Sequence, residues 1–298
     1  ILLLLLNVVK IWRIIPFRSS NKMKFRIMYS ILNVLHPLLI INVSWISKWD
    51  SLYKVWTHHH PGSYFAVIQH GAGIGGIRTR FKSTKCDLLL TWGDYFSRQY
   101  SNDNPGKNVQ FISFGNPVYN VYNRDDFKYS NKRSGRILLA PSAVSYESLD
   151  PFISFCNKLE ELGFILTLKE HNYQGKKAPH FDYPALKGFE KSDEQLYSLL
   201  LKRDYDFVVT DHSSALLDII FFKNPVLFFS PEGSVKEYTV NLYSDYLKNA
   251  YFNYRTVENM ESVYSMLDIE AQERLFSENI TPGSNNIKEY IFKKKQDA

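Results

Sequence analysis

Residues 207 to 218 read Phe-Val-Val-Thr-Asp-His-Ser-Ser-Ala-Leu-Leu-Asp. The opening run is β-branched and aromatic, and an apolar helical pattern continues from Ala215 to Phe222, so the stretch predicts a strand, a polar turn and a helix. Ser213 and Ser214 stand at the turn, where the first backbone N–H groups of a helix lack partners and attract anions. Two interpretations are open: a phosphate site, and a serine that only caps the helix.

A second polar turn lies upstream. Ile165 to Leu168 predicts another strand, and Lys169 and His171 follow it. Ligands of open α/β sheets bind beyond the carboxyl ends of the strands, so we expect these two turns to contribute to one anion site. A solvated lysine and a histidine bonded to the backbone are the plain alternatives.

Short apolar runs alternate with amphipathic segments from Arg136 onward, which predicts a parallel sheet with helices on both faces. The strands predicted in this half are 137–140, 164–168, 186–189, 206–210 and 225–229. The helices predicted there are 146–162, 193–202, 213–222 and 256–279. The first half predicts strands at 65–68, 88–91 and 109–112, and therefore a second α/β layer.

The polar segment 123–135 has the composition of a linker. It predicts an N-terminal domain over residues 1–128, a C-terminal domain over residues 129–284, and a last helix over 285–298 that returns to the first domain. The chain begins with Ile1 in an apolar run, so we expect the first domain to be truncated at its start. That run is too short for the roughly 20 residues of a membrane-spanning helix.

The net charge of +6 is concentrated near the start of the chain. The first carboxylate is Asp50, and residues 1–49 hold 7 of the 36 basic residues. Over residues 10–29 these cations alternate with apolar and aromatic side chains, which predicts contact with an anionic membrane surface. Nucleic acid is a competing partner, but no recognition motif accompanies the stretch. A basic face on the acceptor side of an enzyme is the third interpretation.

The composition is otherwise that of a globular protein, with 45% hydrophobic and 22% charged residues. The two cysteines, Cys86 and Cys156, match neither a disulfide framework nor a zinc site, which favours a reducing cytoplasm. The run His58-His59-His60 is interpreted as loop surface, and metal binding there is disfavoured because no carboxylate or cysteine cluster is near.

A glycine-dense loop follows the strand predicted at 65–68. Gln69, His70, Gly71 and Gly73 open it, and glycines let a substrate approach the backbone closely. The spacing fits G-x-G-x-x-G, but no convincing β-α-β unit with an acidic residue about 20 positions on accompanies it, which argues against NAD or FAD. We interpret His70 as a catalytic base, because imidazole titrates near neutral pH. A histidine that only orders the loop is the alternative.

Three stretches carry a resemblance to a known family. They are Gln69-His70-Gly71, Lys169-Glu170-His171, and Asp206 to Asp218 with Lys223-Asn224-Pro225-Val226. Together they resemble the CDP-glycerol glycerophosphotransferase-like group of GT-B transferases, which includes bacterial teichoic-acid, capsule and O-antigen enzymes. The resemblance covers residues 65 to 235.

The resemblance implies an α/β fold that is GT-B-like, with two Rossmann-like domains whose parallel sheets face an interdomain cleft. It implies His70 as base, a donor diphosphate held by Lys169, His171, Ser213 and Ser214, and Asp218 on donor hydroxyls. Gln69, Gly71 and Gly73 would contact substrate from their loop. The expected partners are a nucleotide-sugar or CDP-polyol donor and a glycan or lipid-linked glycan acceptor. No cofactor, metal or nucleic acid is expected, and the location is cytoplasmic, at the inner face of a bacterial membrane.

The chain departs from teichoic-acid enzymes after its His-Gly pair. Ala72-Gly73-Ile74 stands where those members have Thr-Pro, so a sugar from a CMP, CDP, UDP or GDP donor is as well supported as glycerol phosphate. A metal-dependent transferase would use Asp-x-Asp, and Asp204-Tyr205-Asp206 has that pattern but enters a buried strand. A nucleotide-sugar 2-epimerase and a catalytically silent nucleotide-binding partner are the remaining alternatives.

Overall fold

The structure, a computed structural model, divides the described part of the chain into two compact units. The first ends at Asn116, and the second runs from Pro117 to Ile280. The residues described are 22–43, 48–69, 86–103, 108–141, 150–170, 172–173, 176–177, 188–211, 213–230 and 238–280.

The first unit contains a four-stranded parallel sheet. Its strands are β1 (Leu39–Asn42), β2 (Tyr64–Ile68), β3 (Leu88–Thr91) and β4 (Gln110–Ser113), and they lie side by side in chain order. The helices among its described residues are α1 (Lys22–Leu35), α2 (Lys48–His59) and α3 (Asp94–Asp103). All four residues of β3 are buried, as is typical of a parallel strand covered on both faces.

The second unit contains a five-stranded parallel sheet. Its strands are β5 (Arg136–Leu139), β6 (Ile165–Lys169), β9 (Glu190–Ser192), β10 (Phe207–Thr210) and β11 (Val226–Phe228). The order across the sheet is β11-β10-β5-β6-β9, so the chain starts in the middle, runs to one edge and then to the other. A small antiparallel pair, β7 (Asn172–Tyr173) and β8 (Lys176–Lys177), stands apart from it.

Helices cover the second sheet. They are α4 (Asp150–Glu161), α5 (Leu196–Lys202), α6 (Ala215–Phe221), α7 (Tyr238–Tyr246), α8 (Ala250–Asn253), α9 (Met260–Tyr264) and α10 (Ile269–Asn279), with 3-10 turns at Pro117–Asn120, Arg124–Asp126 and Tyr254–Thr256. On one face, Phe152 and Phe155 of α4 pack with Phe229 beyond β11. This buried aromatic contact holds α4 on the sheet.

The predicted parallel α/β architecture is confirmed, but two of the elements predicted for the second half differ from those observed. The short strand is Glu190–Ser192 rather than 186–189. The helix predicted over 256–279 is interrupted: Asn259 begins α9 with a capping box, and Asp268 begins α10 by accepting the N–H of Ala271 at 2.9 Å. Each cap satisfies N–H groups at the start of a separate helix, so two helices replace one.

The histidine run at 58–60 is not a loop, and that interpretation was wrong. His58 and His59 end α2, and the His60 ring stacks on Trp56 with ring centroids 4.1 Å apart. Nδ1 of His60 lies 2.7 Å from the Trp56 carbonyl oxygen. The run therefore closes a helix whose apolar face packs against α1.

The stretch 10–29 is described only from Lys22 onward. Phe25 and Tyr29 belong to a buried cluster with Trp56, and Arg26 is buried beside them. Lys24 and Ile27 are exposed. These aromatic side chains are thus core rather than surface, and contact of the stretch with an anionic membrane stays a prediction.

The polar segment 123–135 belongs to the second unit and packs on the rest of it. Arg124 forms an ion pair with Glu273 at 2.6 Å, and Ser134 donates to the Asp206 carboxylate through its N–H and its hydroxyl, at 2.9 and 2.7 Å. The division between units lies at Asn116 and Pro117, upstream of the limit at 128 and 129 predicted from composition. The predicted final helix, 285–298, lies outside the described residues.

Candidate functional site

The second sheet has a point where its strand order reverses. The chain passes from β5 to β6 and β9 on one side, and then to β10 and β11 on the other. Connections therefore leave the carboxyl ends of β5 and β10 in opposite directions, which opens a crevice suited to ligands. Thr210 joins the two strand ends by donating its hydroxyl to the Ala140 carbonyl oxygen at 2.7 Å.

A cavity of about 260 Å³ lies at this reversal. It is lined by Ala140, Pro141, Lys169, Glu170, Gln195, Leu196, Ser213, Ser214, Ala215 and Asp218. Apolar walls with a few convergent polar groups are the usual character of a small-molecule site. All of its lining residues belong to the second unit.

The turn after β10 supports both interpretations of its serines. The hydroxyl oxygen of Ser213 accepts the N–H of Ala215 at 3.2 Å, and its own N–H donates to Asp211 at 3.1 Å. Ser213 thus stabilises the start of α6, as a capping residue does. Ser214 occupies the N-cap position without a side-chain capping bond, and it lines the cavity. The two serines therefore differ in what they contribute to the turn.

The polar turn after β6 brings a cation to the same cavity. Lys169 is half-buried at its wall. The neighbouring Glu170 is buried and pairs with Lys191 at 2.5 Å. Lys191 therefore offsets the Glu170 charge beside Lys169.

Asp218 supplies a carboxylate on the first turn of α6. Burial raises the pKa of Asp218 to about 7, against hydrogen bonds from Tyr119 and Tyr197 that lower it. The Tyr119 hydroxyl donates to Oδ1 at 2.9 Å. Near neutral pH this wall of the cavity therefore changes between a neutral carboxyl and an acceptor carboxylate.

The structure brings four of the predicted site residues together. Lys169, Ser213, Ser214 and Asp218 line the one cavity, although the sequence distributes them over two turns. The other predicted residues of the site, apart from Gln69, fall outside the described residues: His70, Gly71, Gly73 and His171.

Gln69 is buried at the end of β2. Its Oε1 accepts the N–H of Trp92 at 2.8 Å, and its own N–H donates to the Leu90 carbonyl oxygen at 2.8 Å. It thus joins the carboxyl ends of β2 and β3. Its contact with substrate stays a prediction.

Several residues that line the cavity or lie behind its wall were not predicted. Gln195 and Leu196 begin α5, where the sequence offers only a helical pattern. Tyr119 lies 99 residues before Asp218 and carries no local signal of their contact. Only the folded chain brings them to this wall.

Asp206 of the Asp-x-Asp pattern has a structural role. Its carboxylate accepts the N–H groups of Ser134 and Gly135 and the hydroxyls of Ser134 and Tyr264. These hydrogen bonds lower the pKa of Asp206 even though burial alone would raise it. Such a carboxylate is already occupied by donors.

The described ranges contain neither a candidate metal site nor a candidate membrane-spanning helix. Within them, no group of three or more His, Cys, Asp or Glu side chains is placed to hold a metal ion. Nor does any helix described there have the length and apolar character needed to cross a membrane.

Neither models of protein families nor curated proteins match the sequence. Solved structures do share its fold. The wall teichoic acid polymerase TagF, soaked with CDPG, aligns with a TM-score of 0.54 at 16% identity, over 94% of this chain and 76% of that one. The chain has the GT-B fold.

Two further GT-B structures align with it. A protein assigned as a UDP-N-acetylglucosamine 2-epimerase from Listeria monocytogenes gives a TM-score of 0.56 at 12% identity, over 87% of this chain and 74% of that one. The MnaA–UDP complex from S. aureus gives 0.51 at 13% identity, over 90% and 75%. At such identities the shared property is the fold, which several reactions use.

Proposed function

We propose that the protein is a transferase of surface-glycan synthesis. It moves a sugar or a polyol phosphate from a nucleotide-activated donor to a hydroxyl of a bacterial cell-surface glycan. The observation that carries the proposal is the cavity at the strand-order reversal, where Lys169, two serines and Asp218 meet. A cation and hydroxyl donors suit a diphosphate, and a carboxylate suits the hydroxyls of a nucleotide.

The neighbours of the same fold support a nucleotide donor. TagF was soaked with CDPG, and MnaA was solved with UDP. The carboxyl ends of the strands at a switch point are also where open α/β sheets bind nucleotides. Both lines of support concern the donor, and the acceptor rests on the resemblance of the sequence.

The proposed reaction gives a role to each predicted site residue that can carry a proton or offset a charge. His70 accepts the proton of the acceptor hydroxyl, whose oxygen then bonds to the transferred group as the bond to the nucleotide breaks. Lys169, His171, Ser213 and Ser214 offset the charge that develops on the leaving phosphate. Because protein groups supply this charge stabilisation, we expect turnover to persist in EDTA.

A thermal-shift screen with CMP, CDP, UDP and GDP tests the donor site. A ligand that binds only the folded state at about 100 times its Kd adds about 2.7 kcal/mol to the free energy of unfolding, so the melting temperature rises. No response to any of the four nucleotides would contradict the proposal.

Transfer is tested with His70→Ala. We expect this variant to lose turnover while it keeps nucleotide binding, because its imidazole is proposed to act on the acceptor. Equal loss of both properties would show that His70 is structural.

A nucleotide-sugar 2-epimerase is the second candidate. The alignments with the Listeria monocytogenes protein and MnaA favour it, since their TM-scores are comparable with that of TagF. Incubation with UDP-N-acetylglucosamine alone separates the candidates. An epimerase inverts C2 of the sugar without an acceptor, whereas the proposed transferase leaves that carbon unchanged.

A further inference from the structure

A tyrosine from the start of the second unit reaches the wall of the cavity. Tyr119 lies in the 3-10 turn Pro117–Asn120, three residues beyond the last residue of the first unit. It is 4% exposed, and its hydroxyl donates to Oδ1 of Asp218 at 2.9 Å. The turn therefore supplies a donor to a carboxylate that itself faces the cavity.

The position of Tyr119 is set by ring packing. Its ring stacks on Phe221 with centroids 4.1 Å apart and planes at 9°, and Phe276 packs at 5.6 Å. Phe221 ends α6, the helix that carries Asp218. Stacked aromatic rings of this kind restrict the tyrosine, so its hydroxyl is held at the carboxylate.

A second tyrosine acts on the same carboxylate. Tyr197 of α5 forms a hydrogen bond with Asp218, and its ring packs against Phe222. Among the described groups, Lys169 and Glu170 line the same cavity from the end of β6, and Tyr122 acts electrostatically on Tyr197. Tyr119 and Tyr197 donate from behind the cavity wall, since neither lines the cavity itself.

We propose that Tyr119 is a positioning residue of the donor site. Its hydroxyl holds the Asp218 carboxylate in place as the acceptor for ribose hydroxyls of a bound nucleotide, a role that rests on the proposed function. A carboxylate has about four acceptor positions, so two tyrosine donors leave capacity for a ligand. Tyr119 thus favours the ionised form of Asp218, which is the stronger acceptor.

This role predicts a dependence of nucleotide binding on pH. Asp218, with a pKa of about 7, is the stronger acceptor of hydroxyls when ionised, so its contribution to affinity increases as the pH rises through 7. Loss of the Tyr119 hydroxyl removes a donor to the ionised form and moves the titration to higher pH. If it moves by about one pH unit, the ionised fraction at pH 7 falls from about one half to about one in eleven.

Tyr119→Phe is the test, because phenylalanine keeps the stacked ring and deletes the hydroxyl. Of CMP, CDP, UDP and GDP, the nucleotide that most raises the melting temperature of the parent is titrated into the full chain by calorimetry from pH 5.5 to 9.5. We expect binding about fivefold weaker than in the parent at pH 7 and equal to it above about pH 9. Since the nucleotide phosphate titrates in the same range, the parent and the variant are compared at each pH.

Tyr246→Phe is the matched control. It deletes a hydroxyl that donates to Glu278, a carboxylate in the same unit that does not line the cavity. Its binding should follow the parent at every pH. Tyr197→Phe is the second variant at the site, and it should shift the binding curve in the same direction as Tyr119→Phe.

The outcomes separate the inference from the proposed function. Equal loss of affinity at every pH, or no loss, overturns the role of Tyr119 while nucleotide binding by the parent stands. If the parent binds none of CMP, CDP, UDP and GDP, the proposed function fails and the inference fails with it.

Discussion

Replacement of Asp218 by asparagine should change the free energy of unfolding of the second unit in a pH-dependent way. Relative to the parent, the variant should be more stable at alkaline pH than at acidic pH. The pKa of this carboxyl rises from an ordinary 3.8 to about 7 because burial opposes its ionisation. Because its pKa is higher in the folded state than in the unfolded state, the protonated carboxyl contributes its full stability below about pH 4. That contribution is lost as the pH rises through 7. Asparagine does not ionise, so the variant does not lose this stability as the pH rises.

The magnitude follows from the two pKa values. Their difference corresponds to about 4 kcal/mol well above pH 7, at about 1.4 kcal/mol per pH unit. Somewhat under half of this loss is already present at pH 5, which leaves about 3 kcal/mol between pH 5 and pH 8.5. The hydrogen bond that an asparagine amide fails to accept from Tyr119 or Tyr197 costs the same at each pH. This constant cost does not affect how the difference in free energy of unfolding between the variant and the parent changes with pH.

Urea unfolding at pH 5, 6, 7 and 8.5 measures the effect. The five tryptophans all lie in the first 92 residues, so tryptophan fluorescence follows the first unit and circular dichroism follows both. The pH-dependent change in stability should therefore appear in the unfolding transition of the second unit, which circular dichroism reports and tryptophan fluorescence does not. Asp245→Asn, which removes an exposed carboxylate from the second unit, is the control. A difference between Asp218→Asn and the parent that is the same at all four pH values would refute the reasoning.

Three further predictions concern the site and its support. Lys169→Ala should weaken CDP or UDP binding about tenfold in calorimetry, while Lys248→Ala, at an exposed position of the same unit, should leave it unchanged. Ser213→Ala should cost about 1 kcal/mol in urea unfolding because its oxygen accepts the first N–H of α6. Ser214→Ala should change stability by less than about 0.5 kcal/mol and still lower nucleotide affinity, and the reverse pattern would contradict their assignment. Asp206→Asn should lower the free energy of unfolding by about 2–4 kcal/mol at pH 7 in urea unfolding. Because the pKa of Asp206 is lowered in the folded state, the difference in stability between parent and variant should decrease as the pH falls below about 4.

Local patterns were sufficient for most strands of the two sheets. β3 and β10 are continuous apolar runs that are buried on both faces, so hydrophobicity alone predicts them. The interruption between α9 and α10 has a signal in Asn259 and Asp268, which are good capping residues, although the apolar pattern continues across it. The interpretation of His58–His60 as a loop was wrong because three polar residues in a row carry no sign of the helix they close or of the stacking of His60 on Trp56.

The sequence by itself determined the class of the fold and pointed to three of the residues that line the cavity, Lys169, Ser213 and Ser214, while the family resemblance added Asp218. Hydrophobic periodicity is a property of neighbouring residues, and the carboxyl ends of parallel strands necessarily share one edge of a sheet. Only the tertiary structure decided that β10 pairs with β5, which creates the strand-order reversal and its cavity. It alone brought Tyr119 to Asp218, because a contact across 99 residues depends on how Tyr119 and α6 pack, and no local pattern encodes that packing.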